Sequence, residues 1–246
     1  MPHPDLTRYN CCATCGKSEG DATKLLRCSI CHKSYCSRDC QAKDFAAHKP
    51  SCKEYGVREL LQAITDNDSA KVRRLAKTKY GLNGKVDYAV PTDDEDHILE
   101  QWTALHQCIR QKRCDLLRVL CAAPGVKVDI KDGDGETPLF VASTTSDINI
   151  LKVLVSSGAN VNAMAGDGWT ALMMAARDGY YDHAELLLKA GADLYLGRDM
   201  FGRTCMDLVA SQATGQMGLR LRDRNETIEE AKARHMHMLS MLERYA

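Results

Sequence analysis

Eight potential metal ligands fall within the 41 residues from Cys12 to Cys52, and they come in ordered pairs. The pairs are Cys12-x2-Cys15, Cys28-x2-Cys31, Cys36-x3-Cys40 and His48-x3-Cys52. Seven thiolates and one imidazole suit Zn²⁺, which is tetrahedral, so the set makes two closed structural sites with no open position for a catalytic water. A two-residue gap lets both sulfurs of one turn reach one ion. A three-residue gap places both ligands on the same face of a helical turn. Cys11 competes with Cys12, and His32 with His48. The x2 spacing favours Cys12, and His32 directly follows Cys31, where neighbouring side chains rarely share a metal.

The remaining cysteines, Cys108, Cys114, Cys121 and Cys205, are scattered through helical-looking sequence. The first ten residues, MPHPDLTRYN, contain no apolar core of a secretory signal. Clustered cysteines without such a signal point to metal ligation in a reducing compartment, cytoplasm or nucleus, rather than to disulfides. No apolar run approaches the length of a membrane span. Net formal charge is zero, with nine Lys/Arg and six Asp/Glu over residues 1–57, a balance of +3. Two Zn²⁺ and seven thiolates would cancel that balance. Nowhere is there the basic excess that tracks a phosphate backbone, so direct nucleic-acid contact is not expected. A segment this short cannot bury a stable core by itself. Metal binding, worth about 10–16 kcal/mol in small zinc modules, has to supply its folding energy.

The stretch YCSRDCQAKDFAAHKPSC, together with the full ligand order over residues 12–52, resembles a MYND-type zinc finger. The resemblance implies a cross-braced pairing: Cys12, Cys15, Cys36 and Cys40 on one zinc, and Cys28, Cys31, His48 and Cys52 on the other. Gln41 and Lys43 match the family's helix pattern. Phe45 stands where the family usually has Trp, keeping the apolar body and losing the indole N–H. Some fingers of this family bind short proline-rich peptides, which makes Gln41 and Phe45 candidate peptide contacts.

Beyond residue 57 a period appears. WTALHQCI, ETPLFVAS, WTALMMAA and RTCMDLVA align on Thr103, Thr137, Thr170 and Thr204, spaced 34, 33 and 34 residues apart. A period of 33 carrying T-P-L-H-x-A is the pattern of ankyrin repeats, and Gly168–Leu194 resembles an almost complete copy. Each Thr can cap an inner helix. Pro138 fits the first helical turn, and Gly158 and Gly191 fit the ends of outer helices. Leu117 and Leu120, Leu151 and Leu154, and Ala184 and Leu187 occupy matching places that only a stack can bury. A degenerate first copy places Leu60, Ala63, Val72 and Leu75 in phase. In the last copy the outer helix is delayed to residues 227–246, with Ile228, Ala231, His235, Met238, Leu239 and Leu242 as its apolar stripe.

The expected organisation is therefore a MYND-type finger over residues 1–56 followed by an all-α ankyrin solenoid of about five repeats over 57–246. The repeats lie near 58–83, 101–133, 135–166, 168–200 and 202–246. An insertion near 84–100 carries the acidic run Asp93–Asp96, read as a solvated loop. The array resembles proteins that bind polypeptides on hairpin tips and inner helices. Carried onto this chain, those positions are Trp102, Arg110, Gln111, Asp134, Glu136, Thr144, Thr145, Asp167, Trp169, Arg177, Asp178, Met200, Phe201 and Arg203. MYND fingers also occur within SET-domain methyltransferases, but no NHxC motif, Gly-rich cofactor loop, G-x-S-x-G or H-E-x-x-H is present. The expectation is a monomeric, non-enzymatic adaptor for protein or peptide partners, or a transcriptional co-regulator recruited through protein contacts.

Overall fold

In a computed structural model of the chain, the structure describes residues 26–27, 34–35, 56–77, 82–90, 97–214 and 226–246. All eight expected zinc ligands, Gln41, Phe45 and the acidic run 93–96 lie outside the described residues.

Among the described residues the architecture is a row of helix pairs. Residues 56–65 form α1, followed by α2 (Ser69–Ala76). Next, α3 (Ala104–Arg110) packs on α4 (Cys114–Cys121), and α5 (Pro138–Ser143) on α6 (Ile148–Ser156). The row ends with α7 (Ala171–Arg177) on α8 (Tyr181–Lys189) and α9 (Cys205–Ala213) on α10 (Ile228–Leu242). Helices α3, α5, α7 and α9 pack in succession as one layer, and α2, α4, α6 and α8 as a second.

The first-layer helices run six to nine residues, shorter than the ~12–15 residues an isolated helix needs in water. Two things compensate. The first is capping: Thr103, Thr137, Thr170 and Thr204 sit in extended backbone and accept from the N–H three residues on. Thr204 adds a capping box, its own N–H donating to Asp207 Oδ2 at 2.9 Å. The second is burial. Leu117, Leu120, Leu151, Leu154, Ala184 and Leu187 are all fully buried, and each Leu contributes about 1.5–3 kcal/mol relative to exposure. Leu60, Ala63, Val72 and Leu75 of the first two helices join the same core.

Outer helices α6 and α8 stop at Gly158 and Gly191, with φ of +82° and +91°. The turns that follow are tied across the row by side chains at equivalent positions. Asn83 Oδ1 accepts from Lys127 N at 2.8 Å, Asp129 Oδ1 from Asn160 N at 2.9 Å, and Asn162 Oδ1 from Asp193 N at 2.9 Å. Asn162 Nδ2 also donates to Gly191 O at 3.1 Å.

Two expectations need correction. The array is not all-α, because the insertion holds an antiparallel ribbon of strands Val86–Val90 and His97–Trp102. Both segments are rich in β-branched and aromatic residues, which favour extended backbone. The stripe of α10 is buried as expected at Ala231, His235, Met238 and Leu242 but departs at its start. Ile228 is 60% exposed and Leu239 is half-buried, while Ala231, His235, Met238, Met241 and Leu242 face inward. A polar clamp also anchors the helix. Arg234 Nε and Nη2 donate to the two carboxylate oxygens of Glu226 at 2.8 and 3.0 Å, and Nη1 donates to Asp178 O at 3.1 Å. Gly179, at φ +68°, leaves the space that this guanidinium occupies.

Leu151→Ala is expected to lower unfolding free energy by about 2–5 kcal/mol, since it opens a cavity in the stack. Asn162→Ala, which removes two turn-to-turn hydrogen bonds, should cost about 1–2 kcal/mol. Urea denaturation of both variants checks the order; equal losses would mean that the turn ties and the leucine core are not the separate contributions described here.

Candidate interaction surface

Helices α5, α7 and α9 are each preceded by a tight tip, and the three tips share one backbone plan. Asp132 N donates to Glu136 O at 3.0 Å, Ala165 N to Trp169 O at 2.8 Å, and Asp199 N to Arg203 O at 3.1 Å. Asp132 Oδ1 accepts from Asp134 N and Glu136 N, and Asp199 Oδ1 from Phe201 N and Arg203 N, so each carboxylate satisfies the N–H groups of its turn. The middle tip has Ala165 at that place, and Asp167 takes Trp169 N at 3.2 Å instead. Arg198 N reaches Gly168 O at 3.3 Å, joining the last two tips.

The tips differ in what they show to solvent. Gly133-Asp134-Gly135 and Gly166-Asp167-Gly168 are matched in the last tip by Met200-Phe201-Gly202. Met200 is 86% and Phe201 72% exposed. With Trp169, Asp167, Asp199 and Arg203 they line a pocket of about 170 Å³. Arg203 lies over the Phe201 ring, 4.7 Å from its centroid, and its Nε donates to Asp199 Oδ2 at 2.7 Å. Burial opposes ionisation of Asp199, but Arg203 and the turn N–H groups outweigh it and hold the carboxyl below its ordinary range. Arg177 covers Trp169 at 5.2 Å and pairs with Asp178 at 2.8 Å.

The middle of the surface is acidic. Burial pushes the Glu136 carboxyl up to about 7, reinforced by Asp132, Asp134 and Asp167. Asp132 is raised as well, by burial first. Behind them His106 is fully buried, its Nδ1 2.7 Å from Thr103 Oγ1. Burial lowers His106 to about 4, so the 3.8 Å approach of Asp132 Oδ2 to its Nε2 is no ion pair at neutral pH.

Asp134, Glu136, Asp167, Trp169, Phe201 and Arg203 are thus brought onto one run of tips. Arg110 and Gln111 are exposed at the end of α3, and Arg177 and Asp178 are half-buried at the end of α7. Trp102 is a correction: it is only 7% exposed and cannot offer its ring to a partner. Its indole N–H donates to Gln107 Oε1 at 2.9 Å, and Gln107 Nε2 donates to Thr65 Oγ1 at 2.8 Å. That buried chain links the ribbon, α3 and α1. Sequence reasoning missed Gln107, since a Gln after T-A-L-H reads as an ordinary helix residue. It also passed over Asp199 and Asp132 as site residues.

For the finger, the described residues add one fact. Strand Leu26–Arg27 pairs antiparallel with Ser34–Tyr35, Arg27 opposite Ser34. The backbone just before the Cys28–Cys31 pair therefore runs beside the backbone just before Cys36. The donor set of seven cysteines and one histidine has the chemistry of zinc ligation.

The two parts of the chain define a class. Residues 12–52 match the sequence model of the MYND finger, and residues 122–197 match that of ankyrin repeats in three copies. The chain carries a zinc-binding MYND-type finger and ankyrin repeats, both protein-interaction modules. Over 118 residues, 47% of its length, it is 35% identical to the ankyrin repeat and KH domain-containing protein mask of Drosophila melanogaster. The chain spans 3% of that relative's length.

The tip acids give a pH signature. Folded Glu136 keeps its proton to about pH 7, whereas its ordinary value is 4.5. The folded state therefore binds more protons across that window, and this group's contribution to stability falls as pH rises through it, then levels off. Glu136→Gln should raise the thermal midpoint relative to wild type at pH 8, with the gain vanishing below pH 4.5. Buried His106 acts in the opposite sense, since the unfolded chain takes up its proton first; stability falls as pH drops from 6.5 towards 4. Thermal scans of wild type and Glu136→Gln from pH 4 to 8 check both; a gain independent of pH would contradict the assignment to Glu136.

Proposed function

We propose that the chain is a non-enzymatic adaptor that holds polypeptide partners on its repeat tips and on its finger. The observation that carries the reading is the last-tip pocket, where two large apolar side chains stand in water beside a row of carboxylates. Exposed apolar groups at a rigid, concave place mark interaction sites. The array is taken as five repeats, the last closed by α10 as a cap, with the finger over residues 1–56.

In the finger, Cys12, Cys15, Cys36 and Cys40 would hold one zinc, and Cys28, Cys31, His48 and Cys52 the other. The ions supply folding energy and no reaction step. Gln41 and Phe45 are the proposed contacts to a proline-rich peptide, whose extended form is already low in entropy. Arg110, Gln111, Arg177 and Asp178 are the proposed inner-helix contacts. The cytoplasm or nucleus is the proposed location, since a reduced thiolate set is needed.

Metal analysis of the full chain should give two zincs. A chelator should remove them while leaving the helical circular-dichroism signal of the repeats in place. One zinc or none would refute the ligand set. Quantitative affinity capture should then resolve two partner groups. Cys12→Ser with Cys15→Ser should lose one, and Arg110→Glu with Phe201→Lys the other. Identical recoveries from wild type and both variants would sink the adaptor reading.

A further inference from the structure

The last tip departs from its neighbours in a way that specifies a partner's chemistry. At equivalent places the two earlier tips carry Gly-Asp, and this one carries Met200-Phe201. Neither side chain serves the fold, since both project into solvent. The tip is nonetheless rigid, because Asp199 is buried, accepts from the Phe201 and Arg203 N–H groups and binds the Arg203 guanidinium. An apolar pair held this firmly loses little conformational entropy when covered.

The charge beside the pocket is one-sided. Asp167 lines it, and Asp134 and Glu136 follow on the neighbouring tip. Among the described residues no Lys or Arg ion-pairs with any of these three. The nearby cations have other work: Lys85, whose charge acts on Asp132, donates from Nζ to Gln101 Oε1 at 3.2 Å. Arg203 is bound to Asp199, Arg177 to Asp178, Lys131 Nζ donates to Met164 O at 2.8 Å, and Arg198 Nη1 donates to Gly202 O at 3.0 Å. Arg177 and Arg203 also each lie over one face of Trp169 and Phe201. The apolar pocket and the carboxylates therefore ask for different groups on one partner. Burial first, and the charges of Asp132, Asp134 and Asp167 after it, raise the Glu136 carboxyl.

We infer that this site takes an extended polypeptide segment whose large apolar side chain enters between Trp169, Met200 and Phe201 while a neighbouring Lys or Arg lies against Asp167, Asp134 and Glu136. This rests on the adaptor reading and names the partner chemistry for one part of it. Charge complementarity selects the basic segment, and the pocket's size limits the anchor to one side chain.

The test uses the full chain, purified without chelator, as bait for a displayed random-peptide library. Enriched sequences are then remade as fluorescent peptides for binding by anisotropy. They should share a large apolar residue close to Lys or Arg. Phe201→Ala should weaken them by at least about tenfold. Asp134→Lys with Asp167→Lys should weaken them and enrich acidic sequences instead. These positions are at the surface, and circular dichroism of each variant verifies the fold. Acidic or uncharged sequences from the wild type overturn the charge assignment. Basic sequences indifferent to all three substitutions overturn the pocket and leave the adaptor reading standing. A dimer that forms with concentration and is lost in Phe201→Ala overturns the proposal by making a second copy the occupant. No enrichment at all overturns the tip site, and the adaptor reading is then decided by the capture experiment.

Discussion

Leucine-lined contact between successive outer helices is the interaction on which the rest of this structure depends. Helices of six to nine residues do not persist alone in water. One helix pair would leave its apolar stripe exposed, and the next pair covers it. Leu117, Leu151 and Leu187 are each wholly buried because their neighbours in the row are present. Stability in such a chain belongs to the interfaces between copies more than to any one copy. The regular stacking also carries the tips into line, so residues 33 or 34 positions apart in the chain become neighbours on one surface.

Polar groups then refine what burial has arranged. At the outer turns, Asn83, Asp129 and Asn162 hand hydrogen bonds from one copy to the next. At the tips, Asp132 and Asp199 are consumed by the backbone N–H groups of their own turns. Asp134, Glu136 and Asp167 form no ion pairs with the described residues, and they give the surface its sign. At the far end, the Arg234–Glu226 clamp and the close fit at Gly179 seat α10. His235, with its Nδ1 2.8 Å from Ala231 O, is buried beneath that helix, while His237 stacks on Tyr181 outside.

Much of the repeat framework is legible along the chain because its signals are local. A threonine caps the helix that begins one residue later, and a glycine ends the helix just before it. The same holds for the ligand series, where gaps of two and three residues reflect the reach of side chains around one ion. The start of the α10 stripe was less legible. Ile228 continues the apolar spacing yet lies exposed, and a guanidinium held by Glu226 and Asp178 anchors the helix. The ribbon preceding α3 was hidden for a related reason, since its two strands stabilise each other across a gap.

The two tryptophans state the division most clearly. Both stand in the sequence WTAL at the same place in a copy. One, Trp102, lies inside, bonded to Gln107, which reaches Thr65 in another helix. The other, Trp169, lines an open pocket with Met200 and Phe201. Local chemistry, written within a few residues, determined the period, the caps and the order of metal ligands. Which tryptophan meets water was decided only in the folded chain, because burial depends on segments that arrive from elsewhere in the sequence.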